Sequence, residues 1–252
     1  MNKLKTCGKL KPIRSGIHDV WNAFMVEGAD FGTNSNDIPF CPTTAKAIPK
    51  RIVDWDEARK IYSEAIARHD NRFHYDAFVC FFVDDRKFSN ECSESEKGYN
   101  IWREYLFVLK VLRHFAGAIT PDFSLCQDFP HPIKIYNVYR MRAYGFWLGK
   151  NGIPIINGVR WGTSETYNYV FDGLPHNSVL CIGTSGGSPR KLVDRDRFEA
   201  GLQELINRLH PHTILVYGSA NYRCFDTLRQ NGITIIEYPS RTARVFEGRR
   251  RV

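Results

Sequence analysis

At 252 residues, with 43% hydrophobic and 13% aromatic content, the chain is long enough to bury a substantial core, which excludes a disordered protein. Its formal charge of +8 is a mild pointer toward a polyanionic partner, although much of the excess sits near the ends, in Lys3, Lys5, Lys9, Lys11 and Arg14 and in Arg241, Arg244, Arg249, Arg250 and Arg251, where charge is usually solvated. No apolar run approaches the roughly 18 residues of a membrane helix, and the Lys-rich start is not followed by the apolar stretch of a leader, so a cytoplasmic protein without a membrane partner is expected.

Residues 1–75 read as an irregular lead-in, punctuated by Pro39, Pro42 and Pro49 and too aromatic for a free linker, followed by a first helix, DEARKIYSEAIARH, with Ala58, Ile61, Ala65 and Ile66 on one face. Both are expected to pack on a main α/β domain at 76–240, and residues 241–252 form a basic tail. The first strand is expected near 77–83, then a helix from about Tyr99 to His114 with Trp102, Tyr105, Leu106, Leu109 and Leu112 as its apolar stripe. A short strand near Gly117–Thr120 precedes a long helix over about Ile133–Lys150, stopped by Asn151-Gly152. Strands follow near 153–159 and 178–182; the helix DRFEAGLQELINRLH returns the chain to a strand at 213–216, and a last helix ends at Asn231-Gly232 before a strand at 233–236.

The alternation of strand and helix predicts a mainly parallel sheet of about six strands with right-handed crossovers, which brings every strand C-terminus to one edge. In an open doubly wound sheet the edge strands have little reason to carry site chemistry. Here nearly every strand end does, so an incomplete (β/α) barrel is favoured over the open sheet. The runs end in Asp84-Asp85, Thr120-Pro121-Asp122-Phe123-Ser124, Val159-Arg160-Trp161, Gly183-Thr184-Ser185-Gly186, Tyr217-Gly218-Ser219 and Glu237-Tyr238.

Each strand end has a chemical reading and a plainer one. In Gly183, Thr184, Ser185, Gly186, Tyr217, Gly218 and Ser219, glycine backbone and hydroxyl donors suit a phosphate, but the same residues are ordinary turn formers, and neither a Walker loop nor G-x-G-x-x-G is present. Asp122, at a desolvated strand end beside Ser124, suits a general acid/base or a nucleophile, or else caps local backbone. Asp84 and Asp85 make a second acidic element, with Asp84 as a second candidate catalytic acid. Arg160 suits bidentate contact with phosphate or carboxylate and Trp161 suits stacking on a base; alternatively Arg160 pairs with Asp122 or Asp84 and Trp161 closes the barrel end. No metal is assigned, because the convergence an oxygen-rich site needs is not written in these spacings. Seven cysteines without C-x-x-C read as reduced and mostly buried, Cys80 and Cys181 inside strands, and none of the histidines has catalytic spacing. No cofactor follows from these motifs.

FVDDRKF, GAITPDFSLCQDFP, IYNVYRMRAYGFWLGKNGI, NGVRWG, SETYNYVFDGLP, IGTSGG and TILVYGS, with the early MVEGADF and IPK, together resemble a family of uncharacterised proteins of bacteriophages and integrated mobile elements, the domain of unknown function numbered four-four-one-seven. The resemblance runs from about residue 20 to 240 and carries Asp84, Asp122, Ser124, Asn137, Arg140, Arg160, Trp161, Asp172, Gly183, Tyr217 and Gly218 as family-pattern residues. One departure is Asn157-Gly158 where the family usually reads Pro-Asn. The resemblance implies a phage or mobile-element setting and supplies no reaction. Two functions are therefore carried forward. One is a phosphate-binding site at the strand ends that acts on or binds a nucleotide or nucleic acid; the other is a non-catalytic phage effector that binds a host or phage protein.

Overall fold

The computed structural model describes residues 22–89, 98–184 and 192–250. Its centre is a seven-stranded, all-parallel sheet in strict chain order: β1 (Ile52–Asp54), β2 (Tyr75–Cys80), β3 (Phe115–Ile119), β4 (Ile155–Gly158), β5 (Val179–Gly183), β6 (Thr213–Tyr217) and β7 (Thr234–Tyr238). The helices are α1 (Trp55–Ala67), α2 (Tyr105–Leu112), α3 (His131–Lys150), α4 (Leu192–Leu209), α5 (Arg223–Gln230) and α6 (Arg241–Arg250).

Alternation along the strands divides the interior. Val53, Val79, Ala118, Ile155, Leu180, Ile182, Ile214 and Val216 join the buried faces of α1 to α5 in one large core. Their neighbours Ile52, Phe78, Cys80, Ile119, Ile156, Cys181, Leu215, Tyr217 and Tyr238 form a second cluster built almost entirely from the sheet's other face. Helices on one face and a strand-only cluster on the other are the signature of a sheet curled toward a barrel, here a half-barrel. Two inward glycines make room for rings: an added Cβ on Gly117 would stand 2.4 Å from Phe78 Cζ, and one on Gly183 would stand 2.9 Å from Phe82 Cδ1.

The incomplete barrel is thus as expected, with one more strand than the pattern suggested. β1 is only three residues long and leads straight into α1, whose N-cap is Asp54, with Oδ1 accepting from Glu57 N at 2.8 Å. The helix expected from Tyr99 begins only at Tyr105, because the Glu104 carboxylate is occupied by Gly98 N (2.6 Å) and Asn100 N (3.3 Å), while buried Trp102 packs from irregular chain. Cys41, Cys80 and Cys181 are buried free thiols; burial pushes the Cys41 thiol up to about 12.

β1 and β7 do not pair. Their edges are instead joined by side chains: Tyr238 Oη donates to Pro49 O at 2.5 Å, Arg244 of α6 donates to Ile52 O at 2.8 Å and pairs with Glu57, and Arg241 lies 3.8 Å from Asp54. Two residues of the expected basic tail are therefore engaged with β1 and α1. The basic residues from Lys3 to Arg14 lie outside the described residues.

α3 buries polar as well as apolar side chains because residues 22–45 pack along its outer side, where Lys150 donates to Glu27 O (2.8 Å) and Phe24 meets Trp147 edge-on. Fully buried Arg142 donates to Asp172 O (3.2 Å), Gly158 O (3.4 Å) and Val170 O (2.8 Å), and burial lowers its pKa to about 10. Three carbonyl acceptors replace the water that the guanidinium has lost. They also tie α3 to the end of β4 and to the loop beyond.

That loop meets the lead-in at Gly173, whose O accepts from Cys41 N at 2.8 Å. Gly173 has φ +70°, and an added Cβ would stand 2.2 Å from Pro39 O. Gly173→Ala is expected to destabilise the protein by at least about 2 kcal/mol, from left-handed strain plus a backbone collision. Urea unfolding measures it, and an unchanged midpoint would mean that the two segments do not approach this closely.

Candidate ligand site at the strand ends

The strand order dictates where polar chemistry collects. With all strands parallel and all crossovers of one hand, the residues after β2, β3, β4 and β5 share one rim. A cavity of about 190 Å³ opens there, lined by Phe82 after β2, Asp122, Leu125 and Gln127 after β3, Val159, Arg160, Trp161, Gly162 and Thr163 after β4, Ile182 and Gly183 of β5, and Asp194, Arg197 and Phe198 of α4.

Its strongest polar element is a two-pronged ion pair. Arg160 Nε donates to Asp122 Oδ1 and Arg160 NH2 to Asp122 Oδ2, each at 2.6 Å. The Asp122 side chain is 3% exposed and that of Arg160 31%, so the acid is the buried anchor and the cation is the face turned to solvent. The Asp122 charge raises the Arg160 pKa above its already high ordinary value, against the cost of burial. Among the described residues the NH1 edge of Arg160 carries no hydrogen bond. The open question of Arg160's partner, Asp122 or Asp84, is resolved in favour of Asp122.

Asp84 lies elsewhere. It is half exposed and curls back on its own loop, accepting from Arg86 N (3.0 Å), Nε (2.9 Å) and NH2 (2.9 Å), which hold its carboxyl down at about 2. Its neighbour Asp85 turns the other way and accepts from Ser124 N (3.0 Å) and Ser124 Oγ (2.8 Å), tying the β2 loop to the loop that carries Asp122. Burial pushes the Asp85 carboxyl above its ordinary value and the Asp122 charge adds to this, while the two Ser124 bonds and Arg160 pull it back. Ser124 is fixed from behind as well, since Asn137 Nδ2 donates to its carbonyl at 2.7 Å and Arg140 NH2 donates to Asn137 Oδ1 at 2.5 Å. Arg140 itself sits 3.9 Å over the Phe123 ring.

Trp161 is half-buried against α4. Its ring lies 5.3 Å from that of Phe198, and an added Cβ on Gly201 would stand 2.1 Å from Trp161 Cδ1, so the indole edge is seated in the notch of that glycine. Buried Lys134 supports the same wall by donating to Gln127 O at 3.0 Å and pairing with Glu165.

The β5 and β6 ends are more self-contained. Thr184 is buried, its N donating to Tyr217 O (3.0 Å) and its hydroxyl to Ser219 O (2.9 Å). Tyr217 points into the inner cluster, stacks on Phe82 at 5.6 Å and accepts from Arg241 N at 3.1 Å. Gly218 turns with φ +118° and donates to Tyr238 O at 2.8 Å, and Ser219 Oγ accepts from Asn221 N at 3.2 Å. Ser185 and Gly186 lie outside the described residues. The rim therefore brings Asp122, Arg160, Trp161 and Gly183 around one cavity, with Ser124 bonded alongside; Asp84 faces solvent, and Thr184, Tyr217, Gly218 and Ser219 are occupied by local bonds.

Gln127, Arg197 and Phe198 were missed by sequence reasoning, and Asp85 was seen only as the neighbour of Asp84 in an acidic pair. Adjacent residues after a strand point apart, which could have flagged Asp85 as the inward partner of outward Asp84. Nothing in the sequence distinguishes Arg197 from any other exposed arginine of an amphipathic helix. The shifted amide at Asn157 is structural: Nδ2 donates to Cys41 O at 2.9 Å inside the core.

These features define a class: a half-barrel α/β protein whose strand C-termini frame a small, polar-floored, aromatic-walled mouth. The chain belongs to the family described as Domain of unknown function (DUF4417), whose model matches residues 35–239. It is 33% identical over 199 residues to the Gene 1 protein of Mycobacterium phage D29, covering 79% of this chain and 64% of that protein. It is 31% identical over 175 residues to the Gene 1 protein of Mycobacterium phage L5, covering 69% of this chain and 68% of that one. The chain thus spans slightly less than two thirds of the D29 relative, and no solved structure matches it. No described helix is long and apolar enough to cross a membrane, and no group of three or more potential metal ligands occurs among the described residues.

The unequal burial of the ion pair makes its two halves unequal. Arg160→Ala strands a buried carboxylate and is expected to cost about 3 kcal/mol or more, whereas Asp122→Ala leaves a cation that reaches water and should cost about 1–2 kcal/mol. Chemical denaturation ranks them, and equal losses would contradict the described burial. Asp85 gives a pH signature. The native state holds its proton above the free-aspartate value of about 3.9, so the Asp85 contribution to stability falls as pH rises from about 4 through its raised value. Asp85→Asn should therefore lose less stability than the parent over that climb, and identical pH slopes would mean that the carboxyl is not desolvated.

Proposed function

We propose that the strand-end mouth binds a phosphate-bearing nucleotide or nucleic acid, with Arg160 as its anion contact. The observation that carries this reading is the geometry of Arg160, which lines the cavity: Asp122 clamps Nε and NH2 in a fixed plane, and NH1 carries no hydrogen bond among the described residues. A cation fixed before the ligand arrives loses little freedom on binding, which is what an efficient anion contact requires. Arg197 is a second exposed cation on the cavity wall, and a chain charge of +8 draws in anions.

In this reading Asp122 orients Arg160. Both of its oxygens are engaged, so acid/base or nucleophilic work by Asp122 would require it to leave the pair. The phage relatives suit a protein that meets nucleic acid, and the same setting suits the effector alternative.

Thermal unfolding with inorganic phosphate and with a mixed-sequence single-stranded oligonucleotide at low salt tests the proposal. Both are expected to raise the Tm of the parent. Arg160→Lys, which keeps the charge but loses the planar fork, should weaken binding at least about tenfold. If the Tm is indifferent to every phosphate ligand, the site reading fails and the effector reading takes its place.

A further inference from the structure

We infer that the mouth is a subsite for a single nucleobase, and that the ligand unit it accepts is one nucleoside monophosphate with the base laid against Trp161. This rests on the phosphate reading of Arg160 and adds to it the identity of the group beside the phosphate.

The cavity is two-sided. Arg160, Arg197, Asp122, Asp194, Gln127 and Thr163 supply the polar part, and Phe82, Leu125, Val159, Trp161, Ile182 and Phe198 supply apolar surface, three of them aromatic. A bare phosphate has no use for that apolar wall. A flat heteroaromatic ring does, because every base has a π-face and polar edges. At about 190 Å³ the space is below the ~300–1,000 Å³ of pockets that enclose drug-sized ligands. It suits one base with its phosphate rather than a dinucleotide or a duplex, so a longer strand would have to present a single unstacked nucleotide.

Gly201 shows how the wall is set. The Trp161 edge sits where a side chain of α4 would otherwise be: an added Cβ on Gly201 would stand 2.1 Å from Cδ1, 2.2 Å from Nε1 and 2.6 Å from Cγ. The ring cannot tolerate this by a small shift, because these are atoms of a rigid indole. Any side chain at position 201 drives the indole off the helix, so Gly201 is a positioning residue for the stacking face. Gly183 acts alike for another ring of the wall, since it clears space for Phe82.

Isothermal titration of the full chain with inorganic phosphate, ribose 5-phosphate and each of the four nucleoside monophosphates separates the two layers of the argument. In the parent the nucleoside monophosphates are expected to bind at least about tenfold more tightly than ribose 5-phosphate, an increment within what base stacking supplies. Trp161→Leu and Gly201→Ala should each remove that increment while leaving ribose 5-phosphate affinity within about twofold of the parent. Trp161→Phe, which keeps a flat ring, should restore part of it. Circular dichroism and thermal unfolding confirm that each variant is folded, and should Gly201→Ala fail to fold, the two Trp161 variants decide. If ribose 5-phosphate binds as tightly as the nucleotides, or Trp161→Leu retains the increment, the base subsite is overturned and the phosphate reading stands. If none of the probes binds the parent, both fall.

Discussion

The structure depends on one topological constraint: seven strands laid down in chain order, each joined to the next by a crossover of the same hand. Repetition without reversal puts every core helix on one face of the sheet and leaves the other face to fill itself with strand side chains. No switch point arises, so there is no single crevice of the doubly wound kind. Instead, the residues that follow successive strands are displayed side by side along one rim. Asp122 and Arg160 are 38 positions apart in the chain but follow adjacent strands, and this adjacency is what lets them close a two-pronged pair.

The rim is held from several directions by buried and partly buried polar groups. Arg142 links α3 to the β4 end through three carbonyls, Lys134 braces Gln127 and Glu165, and Asn137 and Arg140 secure the loop of Ser124 from behind. None of these groups is a strong stabiliser, since desolvation offsets much of what each bond contributes. Their effect is positional. A guanidinium or ammonium inside the core has few satisfactory arrangements, and the loops that satisfy it are fixed with it.

How much of this could be read from the chain follows from how local each signal is. The parallel class, the barrel tendency and the shared edge were legible because apolar runs such as Thr213–Tyr217 and Val179–Gly183 sit between helical periods of crossover length. β1 was not, because three residues fused to a helix N-cap carry no periodicity. Arg160 and Trp161 were legible as a cation beside an aromatic face at a strand end. Asp85 and Asp84 were interchangeable on paper, and the choice between them was made by a side-chain direction that Ser124, 39 residues further on, completes. The hydroxyls of Thr184 and Tyr217 resembled ligand donors in the sequence, yet one caps a neighbouring carbonyl and the other fills the inner cluster, which only the register of β5 on β6 decides.

The seam between β1 and β7 bears on how the chain is made. A closed barrel hides all its edges, but this sheet leaves two, and exposed edges are templates for unwanted pairing. The seal consists of Tyr238 on Pro49 and of Arg241 and Arg244 on the β1 and α1 acids, so among the described residues it joins the first strand to the last helix. During synthesis β1 emerges first and waits, open-edged, until residue 244 has left the ribosome. The nascent protein therefore carries β1 with an unguarded outer edge until α6 packs against it.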